Sequence, residues 1–107
     1  MATIRRRFVE GEWPQGKDEL FSYFFSTLRW GGCTAPTSVT VALYDITDGG
    51  YVDMSGSLLT GSVSVVADVI TTPIVTSLVP DHVYQLEVKW NWDNNTWEVK
   101  GTIKAEL

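Results

Sequence analysis

The chain has 107 residues, the size of one domain, and a chain of this length buries roughly two-thirds of its unfolded surface without staples. Its apolar and charged fractions, 44% and 20%, are ordinary for a soluble globular protein, and no apolar run approaches membrane-spanning length. A formal net charge of −5 argues against general nucleic-acid binding, and the one cysteine, Cys33, excludes an internal disulfide.

In chain order, Met1-Ala2-Thr3-Ile4-Arg5-Arg6-Arg7 is basic but is not followed by the apolar segment of a signal peptide. The expectation is a protein made in the cytoplasm. Ile4 to Val9 reads as an opening strand with Ile4, Arg6 and Phe8 on one side, so residues 1–10 form an N-terminal edge strand or a docking arm of a single domain over 1–107. Trp13-Pro14-Gln15-Gly16 reads as a connection. Leu20 to Leu28 places Phe21, Tyr23 and Phe25 on one face and Phe24 and Leu28 on the other, which suits a central strand. Ser38 to Ile46 carries Val39, Val41 and Leu43 on one face and runs into Asp48-Gly49-Gly50, a hairpin turn from which Tyr51 to Met54 returns. Leu58-Leu59 suits one helical turn. Ser62 to Ala67, with Val63 and Val65, and Thr72 to Ser77, with Pro73 at its start, are short strands.

The strongest element is Val83 to Asn91, where Tyr84, Leu86, Val88 and Trp90 alternate with Gln85, Glu87, Lys89 and Asn91. That period of two gives one buried and one wet face. Asp93-Asn94-Asn95-Thr96 is turn chemistry. Trp97, Val99, Gly101, Ile103 and Ala105 then alternate with polar residues, completing a terminal hairpin whose last strand has little chain left to cover its edge.

About seven strands and no amphipathic helix predict an all-β fold. Leu78 and Pro80 stand before the strongest strand and Tyr84 at its head, the pattern of a tyrosine corner, in which a chain crosses between sheets and the hydroxyl bonds to upstream backbone. The expected fold is an immunoglobulin-like, fibronectin III-like β-sandwich. The stretch Val75 to Val88 resembles the corner of fibronectin type III domains, Leu-x-Pro-Gly-x-x-Tyr, with Asp81 in place of the glycine. From about Lys17 to Leu107 the order of motifs resembles short phage and prophage virion proteins. An aromatic strand ends in a Trp (Asp18 to Trp30), and a Val-rich strand and turn follow (Val39 to Gly50). Leu59-Thr60-Gly61-Ser62-Val63-Ser64-Val65 comes next, ahead of the corner and closing hairpin. The resemblance implies a non-catalytic tail, neck or capsid component that binds itself or other virion proteins.

Candidate chemistry is sparse. Asp45, Asp48 and Asp53 flank a glycine turn, where carboxylates can hold calcium, but Asp-Gly is also the commonest hairpin signal. His82 is the sole histidine and reads as a corner residue. Cys33 lacks a neighbouring base and reads as an inert thiol. No nucleophile elbow, phosphate loop or dinucleotide fingerprint is present, so neither an enzyme nor a cofactor is expected. Arg5, Arg6 and Arg7 form either a guarded edge or an arm that docks on an acidic partner. Of five tryptophans, Trp90 and Trp97 fall on apolar strand faces. Trp13, Trp30 and Trp92 are candidate exposed contacts, for protein or, as the alternative function, for carbohydrate or a cell-surface ligand.

Overall fold

The computed structural model describes residues 4–8 and 11–107. Among them the regular structure is almost entirely strand, in two sheets. The first contains β1 (Ile4–Arg7), β3 (Phe21–Ser26), β6 (Leu59–Thr60), β7 (Ser64–Val66), β8 (Val69–Thr71) and β9 (Ile74–Val75). The second contains β2 (Glu12–Gly16), β4 (Thr37–Asp45), β5 (Val52–Asp53), β10 (Val83–Trp92) and β11 (Asn95–Glu106), in the order β2-β11-β10-β4-β5. One helical turn, α1 (Ser55–Leu58), carries buried Leu58.

The core follows from alternation. Phe21, Tyr23 and Phe25 of β3 meet Leu86, Val88 and Trp90 of β10 and Val99, Ile103 and Ala105 of β11 in one buried cluster. The Phe25 and Trp90 rings touch across the two sheets, with centroids 5.5 Å apart. Trp90 is fully buried, and among the described residues its indole N–H has no hydrogen-bond partner, in an aromatic setting completed by Trp30.

Both β8 and β9 pair with β3, at Phe24–Thr71 and Phe21–Val75, so they are one strand interrupted at Pro73. Proline cannot donate to the ladder. Thr72 fills the gap: its N–H donates to the Tyr23 carbonyl (2.8 Å) and its hydroxyl accepts from the Tyr23 N–H (2.9 Å).

Residues 13–16, expected as a connection, are part of a strand. β2 pairs in parallel with β11, from Glu12 opposite Thr102 to Gly16 opposite Glu106. Pro14 concealed it in the sequence, since proline inside a short run argues against a strand unless the strand is an edge. The pairing also corrects the expectation that the last strand has a bare edge. The N-terminal segment serves both sheets: β1 lies parallel to β3, and Phe8 N–H still bonds the Phe24 carbonyl (2.6 Å), whereas Gly11 already accepts from Thr102 N–H in the other sheet (2.7 Å). Phe8 is buried at the crossing, and its ring occupies the space a side chain on Gly101 would need.

The turns depart in detail. The final hairpin turns on Asp93 and Asn94 alone, both at positive φ (52° and 61°), and Asn95 already pairs with Trp92. This is the backbone of a two-residue primed turn, which matches strand twist. Asp48-Gly49 belongs to a short 3₁₀ turn.

Tyr84 is buried, and its hydroxyl accepts the Val79 N–H at 2.9 Å, beside buried Leu78, with half-buried Pro80 in the bend. Tyr84→Phe is expected to cost about 1–2 kcal/mol by stranding that N–H, measured by chemical denaturation. Gly101→Ala is expected to cost on the order of 1–3 kcal/mol, because the new Cβ lies 2.3 Å from a Phe8 ring carbon. Adding Phe8→Leu should recover part of that loss, a coupling that a double-mutant cycle reads directly.

Candidate interaction site

The outward face of β10 holds Gln85, Glu87 and Lys89, since their neighbours fill the core. Such positions should be wet, and Lys89 is exposed, yet Glu87 is only 5% exposed. The cover is Tyr51, which arrives from the turn between β4 and β5. Its hydroxyl donates to Glu87 Oε2, and Gln85 Nε2 donates to the same oxygen at 3.0 Å. Tyr51 also stacks on Tyr44 of β4, centroids 4.1 Å apart and planes 12° from parallel. Tyr44 stands opposite Gln85, and Lys100 of β11 stands opposite Glu87. Around this centre Glu98 receives Lys100 at 3.0 Å and Lys89 at 3.4 Å.

Tyr51 therefore combines two properties that seldom coincide. It is 57% exposed, and it is fixed by ring stacking at one end and a charge-assisted hydrogen bond at the other. The Glu87 carboxylate at its hydroxyl pushes the Tyr51 phenol above its ordinary range. A raised phenol pKa means that this contact is intact at neutral pH; its contribution to stability begins to fall above the ordinary tyrosine value of about 10, and the contact is lost only as pH passes the raised value.

A second polar cluster secures the corner. Asp45 Oδ1 accepts from the Thr47 N–H (3.0 Å) and hydroxyl (2.6 Å), and Oδ2 meets His82 Nδ1 at 2.7 Å. Partial burial pushes the Asp45 carboxyl up, but the bonds from Thr47 and His82 outweigh it and hold the group below its usual range. Thr47 in turn accepts the Val83 N–H, so the turn after β4 is tied to the start of β10.

The candidates from sequence are dispersed. Asp45, Asp48 and Asp53 do not converge: Asp45 faces His82, and Asp53 accepts the Ser55 N–H at 2.9 Å. Among the described residues no three His, Cys, Asp or Glu side chains gather as a metal site. Cys33 is buried in the loop after β3. Arg6 lies over the Phe21 ring, 4.0 Å from its centroid, and donates to the Pro14 carbonyl, which bridges β1 to β2. The side chains of Arg5 and Arg7 lie outside the described residues.

Trp13, Trp30 and Trp92 are all half-buried. Trp13 stands beside Arg6, whose guanidinium is 6.0 Å from its ring. Trp30 meets Phe25 and Trp90 edge-on, at 5.7 and 5.5 Å. Trp92 donates its indole N–H to the Gly31 carbonyl (3.3 Å), and half-buried Trp97 packs against Gly31, where a Cβ would lie 2.9 Å from the indole. These rings knit the loop after β3 onto the final hairpin. Beside them lies an open cleft of about 410 Å³, lined by Thr37, Asn91, Trp92, Asn95 and Thr96 among others. Its polar groups are partly spent internally, Thr96 on Asn91 and Asn95 on the Asp93 carbonyl.

The residues missed from sequence are Tyr44, Tyr51 and Glu87. Tyr44 carried a signal, since it stands out of phase with Val39, Val41 and Leu43 and so places an aromatic ring on a wet face. Glu87 carried none, because its cover comes from a turn that alternation does not describe. No protein-family model matches the chain, and no curated protein matches it.

In a spectrophotometric titration, Tyr51 is expected to ionise above the ordinary tyrosine range. Glu87→Gln should bring one tyrosine back toward that range and leave the others in place.

Proposed function

We propose that the chain is a non-catalytic interaction domain of immunoglobulin-like architecture, and that it binds protein through the outer face of its five-stranded sheet, centred on Tyr51. The observation that carries this reading is the exposed but immobilised Tyr51 ring. Tyrosine is enriched among residues that dominate interface energies, and a ring already held in place loses little freedom on binding. The paired charges of Lys89, Glu98 and Lys100 supply a polar rim around it.

Strand order supports the architecture. One sheet runs β1, β3, the interrupted β8–β9, then β6 and β7; the other runs β2, β11, β10, β4, β5. In immunoglobulin lettering β3, β8–β9 and β6–β7 correspond to B, E and D, facing G, F, C and C′; β1 departs from strand A in running parallel to β3, and β2 is an extra strand beside G. The corner tyrosine supports it too. Antibody domains carry their second cysteine two residues after that tyrosine, where this chain has buried Leu86. The non-catalytic reading rests on a sequence without nucleophile elbow, phosphate loop or dinucleotide fingerprint, and on the burial of Cys33. The shared motif order with phage and prophage virion proteins supports a partner in a particle, as part of a tail, neck or capsid.

The test is binding of wild type, Tyr51→Phe and Tyr51→Ala to the products of the genes that flank its own. Tyr51→Ala is expected to weaken binding about tenfold or more, equivalent to about 1.4 kcal/mol, and Tyr51→Phe to fall between. Unchanged binding by Tyr51→Ala would overturn the assignment of the surface. Binding of an oligosaccharide with a change in Trp fluorescence would favour the carbohydrate function at the hairpin cleft instead.

A further inference from the structure

A sheet edge exposes unpaired backbone groups, and proteins guard such edges with charge, proline or brevity. Among the described residues, three of the edges here are guarded. β1 is a run of isoleucine and three arginines, Ile4–Arg7. β2 contains Glu12 and Pro14, and the proline has no N–H to offer. β5 has two residues, one of them Asp53. The remaining edge, along β6 and β7, is different. From Leu59 to Ala67 the sequence is Leu-Thr-Gly-Ser-Val-Ser-Val-Val-Ala, with no charge and no proline.

Among the described residues β7 pairs with β8 alone, Ser64 opposite Thr71 and Val66 opposite Val69. Alternate residues of an antiparallel strand turn both backbone groups away from their partner, so the free side of β7 presents open donors and acceptors. Two of its three side chains are apolar and none is charged: Val65 is 39% exposed although it pairs with fully buried Ile70, and Val66 is 70% exposed.

We propose that β7 is a self-association edge, on which a second copy of this chain lays its own β7 antiparallel about a two-fold axis at Val65. Charge selects the occupant. The chain is acidic overall, at −5, so copies repel across most approaches, but not along a neutral nine-residue segment. The nearest acid is Asp68, which receives the Ser26 hydroxyl. Antiparallel pairing about Val65 sets the two Asp68 carboxylates six residues apart along the shared ladder, about 20 Å, beyond a Debye length of about 8–10 Å. The pairing is isologous: Val65 faces Val65 of the copy, and Ser64 faces Val66 of the copy. Three-residue strands bury little surface, so the dimer is weak and reversible, with Kd on the order of 0.1 mM. This inference goes beyond the proposed function, since β7 and Tyr51 belong to different sheets.

Sedimentation velocity or light scattering over rising concentration tests it. Wild type should form a dimer that dissolves on dilution and is not weakened by salt, which screens the repulsion between acidic copies. Val66→Lys, at an exposed position that leaves the core intact, should be monomeric at concentrations where wild type is dimeric. Under mild oxidation Val65→Cys should give a covalent dimer, whereas Val79→Cys, exposed elsewhere, should not. Tyr51→Ala should dimerise as wild type does, so failure here is distinguishable from failure of the proposed partner surface. A strict monomer near 1 mM would overturn the inference; so would a dimer that survives Val66→Lys, one dissolved by salt, or one lost on Tyr51→Ala.

Discussion

The N-terminal segment has to serve two sheets, and the packing of the molecule depends on how it does so. β1 adds to one sheet and β2 to the other: Phe8 still bonds to the first, and Gly11 already bonds to the second. Two contacts make that crossing stable. Phe8 drops its ring into the space left by Gly101, an exchange of backbone entropy for a filled core. Further along, Gln15 is 1% exposed and fully used: its amide donates to the Val75 carbonyl at 2.8 Å and the Glu19 carbonyl at 3.2 Å, and accepts the Tyr23 hydroxyl at 2.8 Å. Burial pushes the Tyr23 phenol well above its usual range, so it remains a donor at any physiological pH. A buried amide costs little when each of its groups is satisfied, and a great deal when one is not. Gln15 therefore ties β2 of one sheet to β3 and β9 of the other, and selects one register over its neighbours.

The parts of the fold legible in sequence are those where one face of a strand is buried and the other wet. Val83 to Asn91 and the run from Trp97 to Ala105 read correctly because core and solvent impose the period of two directly. The aromatic strand around Tyr23 read correctly for the same reason. Phe24 is half-buried on the outer face, and Leu28 had already left the strand for a 3₁₀ turn. β2 was illegible because its interior glutamine looks like a surface residue and its proline looks like a loop. Only the partners of Gln15, distant in sequence, make that residue a core residue. The strand expected from Thr72 to Ser77 contains β9 but misses β8, because sequence does not reveal that Thr72 replaces the bond Pro73 lacks and so carries the strand on across the proline.

The candidate site was legible to a lesser degree, and the reason is physical. The tryptophans drew notice because they are large and rare, but large apolar surface is what packing consumes first. Trp30 and Trp92 went to hold a loop against a hairpin. Tyr51 is smaller and follows two glycines, which marks a turn and nothing more. Its position is set by Tyr44 and Glu87, from two other strands, so the property of being exposed and rigid belongs to the assembled sheet.

The two surfaces proposed for contact differ in what limits them. At Tyr51 the side chains are preorganised, so the entropy of fixing the anchor has already been lost in folding and affinity depends on the fit of the partner. At β7 the contact is mainly backbone. It needs no particular side chain beyond the absence of charge, and it is limited by its length of three residues. A short edge contact gains strength chiefly when several such contacts act together, because each further one becomes effectively intramolecular. Since the edge and the tyrosine face lie on separate sheets, one copy can use both at once. A weak, unguarded edge is then a tolerable liability in the free chain and an asset where a partner already holds many copies close together.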